Sequence, residues 1–215
     1  MSMQLYKYLP PTWAEQMVRE GAIRIGTLYD FRRIEAFGAE RGDKDEGVRI
    51  SLTDGAPGVF EGKDLPWFVQ QTLRVPPNVK VQFAEGAVLN VHQNVADAYV
   101  YCTCSKFDRS LMKLFGGACV TVTDTAQFFR AVTRALDGWS THGIRKISSF
   151  RLSPCEYADR EQTWPNVTEY DPILRKSPEY SHQCEVRAVW TTAATSIVPL
   201  NLTVPEIRSW CERVS

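Results

Sequence analysis

The sequence predicts an α+β fold. Strand-like runs, in which apolar and polar residues alternate with a period of two, occur along the whole chain, and they neither alternate strictly with helical segments nor separate from them. The chain has 215 residues, of which 44% are hydrophobic and 11% aromatic, which is enough to bury a sizeable core. Because no repeat or linker divides it, we expect one domain over residues 1–215.

The charge balance gives the chain no bulk attraction for nucleic acid or for a membrane surface. Lys and Arg together number 25, and so do Asp and Glu, which makes the formal net charge zero. The first ten residues lack the apolar run of a signal peptide, and no apolar stretch reaches the roughly 18 residues that a membrane span needs. These features predict a cytoplasmic protein without a membrane partner.

The N-terminal segment predicts a strand, a helix and a second strand. The first strand covers residues 4–8 and the second covers residues 22–25. Between them, the capping-box pattern Thr12-x-x-Glu15 predicts a helix start, and Gly21 predicts the helix end. The apolar stripe of this helix would comprise Trp13, Met17 and Val18.

The region up to residue 91 is less regular. We expect two helical turns over residues 28–35, a loop over 42–47 and a strand over 48–52. An irregular surface excursion around Trp67 and Phe68 is predicted for residues 54–78, because glycines and prolines are frequent there. Further strands are predicted at 79–83 and 87–91.

The second half of the chain has clearer signals. A capped helix is predicted to begin after Asp124 and to end at Gly138, and a final helix is predicted after the pattern Thr203-x-x-Glu206. A polar loop is expected over residues 159–178. The predicted strands cover residues 99–105, 119–123, 183–191 and 196–200, with one or two more in 144–158, and a short helix covers 110–115.

Six scattered cysteines are predicted to be buried free thiols. They form no C-x-x-C pair, which argues against a zinc site. Cys102 and Cys104 would share one face of a strand, so zinc binding together with His92 is the alternative to free thiols.

The strand predicted after Pro178 carries the residues of greatest chemical interest. Period-two alternation places Cys184, Val186, Ala188 and Trp190 on an apolar face, and it places Gln183, Glu185 and Arg187 on the opposite face. A polar row of this kind is either solvated, as is common in antiparallel sheets, or lines a cleft.

A carboxylate in a cleft has a specific chemical use. Cleavage of the nicotinamide–ribose bond of NAD builds positive charge at the anomeric carbon, and a fixed carboxylate stabilises that charge. A neutral amide two residues earlier would point the same way and orient an acceptor. Gln183 and Glu185 provide this pair.

Several motifs resemble known families. The opening Leu5-Tyr-Lys-Tyr, the strand Tyr101-Cys-Thr-Cys-Ser105 and the triplet Gln183-Cys-Glu185 resemble, in that order, motifs of the arginine–serine–glutamate branch of the ADP-ribosyltransferase superfamily. The chain also resembles a bacterial family of unknown function that is linked to phage defence. That likeness rests on Lys7-Tyr8, the segment 25–32, Lys176 and Glu185-Val-Arg187.

The resemblance implies a split, bent sheet of mixed or antiparallel strands with flanking helices, as in ADP-ribosyltransferases. It implies a NAD-consuming ADP-ribosyltransferase or NAD glycohydrolase, acting as a defence or toxin effector, with NAD as its substrate and no metal. The ADP-ribose acceptor would be a protein or a nucleic acid, and an antitoxin or regulatory protein would be a further partner. The branch carries arginine where this chain has Lys7, and lysine is a point charge rather than a bidentate phosphate clamp.

The same resemblance assigns roles to individual residues. Glu185 would stabilise the ribosyl cation, Gln183 would position the acceptor, and Ser105 would hold Glu185 in place. The residues expected to contact NAD are Lys7, Tyr8, Arg24, Tyr29, Arg32, Lys176 and Arg187.

Two other functions remain open at this point. Asp43, Asp45 and Glu46 would hold Mg²⁺ in a metal-dependent nuclease, although flanking glycines also suit a solvated turn. A non-enzymatic sensor or interaction module would instead use the excursion around Trp67.

Overall fold

A branched, mainly antiparallel sheet organises the chain in the computed structural model, which describes residues 3–32, 45–140 and 146–214. The helices are α1 (Pro11–Glu20), α2 (Trp67–Leu73), α3 (Arg109–Leu114) and α4 (Thr125–Ser140). The strands are β1 (Leu5–Leu9), β2 (Ala22–Thr27), β3 (Val48–Leu52), β4 (Gly58–Glu61), β5 (Lys80–Phe83), β6 (Asn90–Asn94), β7 (Tyr99–Cys104), β8 (Ala118–Val122), β9 (Ile147–Pro154), β10 (Glu156–Tyr157), β11 (Glu161–Thr163), β12 (Arg175–Lys176), β13 (Glu185–Thr192), β14 (Leu200–Thr203) and β15 (Cys211–Arg213). Short 3₁₀ helices cover Asp30–Arg32, Gly62–Asp64, Pro178–Gln183 and Pro205–Trp210. The α+β prediction is confirmed.

The sheet divides at β7. On one side, β13 pairs with β7 along its full length, from Glu185 opposite Cys104 to Trp190 opposite Tyr99. On the other side, β2 pairs only with the first two residues of β7, and β1 pairs only with Cys104. The strands β2 and β14 therefore leave β7 as one branch, and β1, β8 and β15 leave it as another.

Helix α1 connects the two branches, because it joins the end of β1 to the start of β2. Pro10 precedes the helix and Pro11 is its first residue, where a missing N–H costs no hydrogen bond. The predicted Thr12 capping box is wrong, since no side chain caps this end. The predicted end is confirmed: Gly21 has φ 74° and donates its N–H to the carbonyls of Gln16 and Met17.

The buried face of α1 differs from the predicted stripe. Ala14 and Met17 are buried in the main core, whereas the side chain of Trp13 is 51% exposed. Residues 13 and 17 lie about one turn apart on nearly the same face, so that face is at the surface near the start of the helix and enters the core one turn later. The main core also contains Trp190 of β13 and Phe128 of α4.

The predicted surface excursion over residues 54–78 is wrong, because this segment has a small core of its own. Phe68 and Val69 of α2 are fully buried, together with Leu65. Partly buried aromatic residues from β4 and β5, Phe60 and Phe83, pack against them. Sequence alternation did not reveal this cluster because its members come from several short elements.

Other boundaries moved for local reasons. The Asp124 cap is confirmed, since its carboxylate accepts the N–H of Gln127 at 3.0 Å, but α4 continues past Gly138. The predicted final helix is a 3₁₀ helix followed by β15, and no side chain caps it. The polar loop contains β11 and β12, and the strands expected at 87–91 and 196–200 lie at β6 and β14. The helical turns expected over 28–35 appear as the 3₁₀ helix Asp30–Arg32, and residues 33–35 lie outside the described part.

Within the described part, no helix combines the length and the apolar character needed to cross a membrane.

Two glycines in helical surroundings should respond in opposite directions to alanine. A Cβ on Gly21 would lie 2.2 Å from the Val204 carbonyl oxygen, and its positive φ disfavours any other residue. Gly21→Ala should therefore lower the free energy of unfolding by more than about 1 kcal/mol. Gly138 has open space around its Cβ position, and Gly138→Ala should raise the free energy by about 0.5 kcal/mol. Urea unfolding measures both, and equal effects would contradict the assignment.

Candidate active site

A cavity of about 430 Å³ lies where β1 and β2 part. Its lining comes from β1, α1, β2, β7, β14, the start of β13 and the 3₁₀ helix before β13, together with Phe31, Glu46, Phe115 and Lys176. The two branches cannot fill this space because each pairs with only one end of β7. The volume is in the range of pockets that bind one small organic ligand.

Glu185, Gln183 and Lys176 meet in one wall of the cavity. The Lys176 ammonium donates to the Glu185 carboxylate at 2.7 Å and to the Gln183 amide oxygen at 2.8 Å. All three side chains line the cavity, yet each is almost completely buried. The predicted proximity of Gln183 and Glu185 is therefore present, with Lys176 as the group that joins them.

The backbone reaches this arrangement by a route that the alternation did not predict. Gln183 ends a 3₁₀ helix rather than belonging to the strand, and Cys184 follows in the left-handed region with φ 44°. β13 then begins at Glu185. Residues 183 and 185 consequently face the same cavity because of a turn, not because of strand periodicity.

Arg187 connects Glu185 to a distant part of the chain. Its Nε donates to Glu185 at 2.6 Å, and its two terminal nitrogens donate to the two Glu46 oxygens at 2.5 and 3.0 Å. It also donates to the carbonyl of Ile173. The alternative interpretation, in which this strand face is exposed to solvent, is wrong, because Glu185 is only 6% exposed and Arg187 only 2%.

Charge pairing keeps the Glu185 carboxylate ionised. Burial by itself would raise the pKa of Glu185, but the positive charges of Arg187 and Lys176 outweigh burial and hold that pKa well below its ordinary value. Burial would likewise lower the pKa of Lys176, and the charge of Glu185 reverses that effect and raises it. Glu185 is thus a fixed negative charge and a weak proton acceptor.

The neighbouring thiols are protonated. Cys102 and Cys104 lie on β7 beside β13, and both line the cavity. Burial, reinforced by the charge of Glu185, raises the pKa of the Cys104 thiol to about 12 and that of the Cys102 thiol well above its ordinary value. Neither cysteine is therefore an activated nucleophile.

The six cysteines are free thiols, as predicted, but only four of them are buried, since Cys102 and Cys184 are partly exposed. His92 is exposed on β6, whereas Cys102 and Cys104 belong to the branched sheet. Across the described ranges, no group of three or more His, Cys, Asp or Glu side chains could hold a metal ion. Asp43 lies outside those ranges, and the Glu46 carboxylate is engaged by Arg187.

Lys7, Tyr8 and Arg24, three of the expected contact residues, line the cavity. The Lys7 ammonium donates to the Cys102 carbonyl of β7 at 2.7 Å and lies 4.4 Å from the centre of the Tyr101 ring. Arg24 pairs with Asp30 at 2.6 Å, and its side chain is 30% exposed. The Tyr8 hydroxyl donates to the carbonyl of Lys106. Lys7 and Arg24 come from opposite branches, so their charges border the cavity from two sides.

Three other expected site residues are placed elsewhere. The Ser105 hydroxyl donates to the Cys184 carbonyl at 3.2 Å, so it supports the turn before Glu185 rather than the carboxylate. Tyr29 donates its hydroxyl to the carbonyl of Val95, and Arg32 stacks on the Tyr29 ring and donates to the carbonyl of Glu46. None of the three is part of the described cavity lining.

Sequence reasoning missed two features of the site. Glu46 was assigned to a metal loop, and no short-range pattern connects it to Arg187, 141 positions away. Trp13 was assigned to the core, but it lies in the cavity lining with half of its side chain exposed. That a buried Arg187 would have an acidic partner could have been predicted, because an interior guanidinium requires acceptors, but the sequence does not show which acidic residue it is.

Comparisons of the chain with protein-family models, with curated proteins and with solved structures found no match in any of the three.

The lowered pKa of Glu185 predicts a specific pH dependence of stability. Unfolded Glu185 binds a proton below about pH 4.3, whereas folded Glu185 stays ionised to lower pH, so its contribution is present above that pH and is lost as pH falls further. The free energy of unfolding of Glu185→Gln should therefore decrease less steeply below about pH 4.3 than that of the unsubstituted chain. Urea unfolding over an acid pH series measures the slope. Glu212→Gln, at an exposed position on β15, should retain the original slope, and identical slopes for all three proteins would contradict the assignment.

Proposed function

We propose that this chain consumes NAD, cleaving the nicotinamide–ribose bond and passing ADP-ribose to an acceptor or to water. The observation that carries the proposal is the ionised Glu185 carboxylate, held at fixed geometry in the wall of a ligand-sized cavity. As the C–N bond breaks, its electron pair leaves with nicotinamide and positive charge grows on the ribose. A preoriented carboxylate in a site of low dielectric stabilises that charge more than water does.

Cleavage of the nicotinamide–ribose bond does not require Glu185 to accept a proton. Nicotinamide leaves as a neutral ring, and the proton released by the acceptor or by water passes to solvent. A carboxylate with a strongly lowered pKa is a poor base but a permanent negative charge. Its electrostatic role therefore agrees with its environment, whereas a role as general base does not.

Cationic and aromatic groups in the cavity support binding of a dinucleotide. Lys7 and Arg24 border the cavity from the two branches and would contact the pyrophosphate. Aromatic rings that keep exposed surface for stacking on a base or on nicotinamide are also in the lining: Tyr6, Trp13, Phe31 and Phe115. Arg187 already makes four hydrogen bonds to protein acceptors, so we assign it to the support of Glu185 and not to NAD.

The cellular role and partners belong to the same proposal. A cytoplasmic defence or toxin effector would deplete NAD or modify a protein or nucleic-acid acceptor, and an antitoxin or regulatory protein would restrain it. The nuclease alternative is weaker, because the carboxylate of Glu46 is committed to Arg187. The sensor alternative loses its proposed surface, because Phe68 is buried beside the partly buried Trp67.

Nicotinamide release tests the proposal directly. The purified chain should release nicotinamide from NAD, and Glu185→Gln should lower kcat by about 100-fold or more, as loss of a main electrostatic group does. Chromatography of nicotinamide, free ADP-ribose and macromolecule-bound ADP-ribose gives both the rate and the acceptor. Glu212→Gln makes the same chemical change at an exposed strand position and should keep full activity. Equal release from the unsubstituted chain and Glu185→Gln, or no release with any acceptor, would remove the proposal.

A further inference from the structure

We infer that Glu46 is a positioning residue, which sets the geometry of the Glu185 carboxylate through Arg187. This inference rests on the proposed function. The contacts form one continuous chain: Glu46 to Arg187 by two hydrogen bonds, Arg187 to Glu185 by one, and Lys176 to Glu185 by another. Glu46 is 2% exposed and comes from the turn that precedes β3.

The orientation of Arg187 depends on Glu46. The Nε of Arg187 is the atom that holds Glu185, and rotation of the planar guanidinium would move that atom. Both terminal nitrogens donate to Glu46, and one of them also donates to the Ile173 carbonyl. A bidentate pair fixes the plane of the group as well as its position, whereas the single carbonyl of Ile173 does not fix it.

The turn that carries Glu46 is itself held in place. Gly47 has φ 67°, and a Cβ there would lie 2.4 Å from the Leu28 Cδ2 atom, so the turn packs tightly on Leu28. Arg32 donates to the Glu46 carbonyl at 2.7 Å, and the Arg160 guanidinium lies 3.7 Å from the Glu46 carboxylate. The contacts of the turn therefore fix the position of Glu46, and Glu46 in turn fixes the position of Arg187, which binds Glu185.

Charge balance gives Glu46 its second effect on the site. Three buried cations, Arg187, Lys176 and Arg160, meet two buried anions, Glu185 and Glu46. Without the charge of Glu46, the Glu185 carboxylate would be the nearest acidic partner left for Arg187 and would be drawn further toward it. A catalytic carboxylate must stay within well under 1 Å of its productive position, so this displacement would slow the reaction.

Glu46→Gln is the test, because the amide keeps the size of the side chain and removes its charge. We expect kcat for nicotinamide release to fall by about 10- to 100-fold, which is the cost of a displacement near 1 Å, with KM for NAD unchanged. A change in kcat alone distinguishes loss of positioning from loss of binding. Glu46→Asp retains the charge and should recover part of kcat, and it also covers the case in which Glu46→Gln does not fold.

Glu156→Gln is the matched control, since Glu156 pairs with the buried guanidinium of Arg175 at 2.7 Å but does not line the cavity. It should leave kcat unchanged. The ¹³C shift of the Glu185 carboxylate, measured by NMR without NAD, should move in Glu46→Gln and stay constant in Glu156→Gln.

The outcomes separate the two proposals. Unchanged kcat in Glu46→Gln, beside a large loss in Glu185→Gln, would overturn the positioning role and leave the proposed function standing. No nicotinamide release from the unsubstituted chain would overturn the proposed function, and the NMR shift would then decide the positioning role by itself. An unmoved Glu185 shift in Glu46→Gln would overturn it.

Discussion

The site depends on the pairing of one buried carboxylate with two buried cations. An ionised group in a protein interior is costly unless partners of opposite charge and hydrogen bonds compensate it. Arg187 and Lys176 supply that compensation to Glu185, and Glu46 supplies it to Arg187. Removal of any one member would leave a buried charge with less compensation, so these residues, which come from three separate segments, must be brought together by the same fold.

The division of the sheet at β7 determines where that charge cluster lies. Because β1 and β2 each pair with one end of β7, a space opens between them, and β13 on the other edge of β7 places Glu185 beside Cys104. The cavity and the carboxylate are therefore both consequences of the pairing partners of one strand. A regular sheet with a single full-length neighbour at that edge would have no cavity there.

Much of the site was visible in the sequence, and the failures have identifiable causes. The Gln183, Glu185 and Lys7 predictions placed residues that the structure brings to one cavity. The predicted contact between Ser105 and Glu185 is absent, because the Ser105 hydroxyl donates instead to the carbonyl of the preceding residue, Cys184. The prediction that Trp13 lies in the core failed because an apolar helical stripe shows which side of a helix is apolar, but not where along that side the core ends.

The sequence alone determined the α+β class, the Gly21 helix end, the Asp124 cap and most central strands, because these depend on neighbouring residues and on a local period. Only the tertiary structure decided that the polar face of β13 is buried, that Lys176 joins Gln183 to Glu185, and that Glu46 binds Arg187. The physical reason is range. Backbone preferences and capping act over a few residues, whereas the compensation of a buried charge acts through space, between side chains up to 141 positions apart.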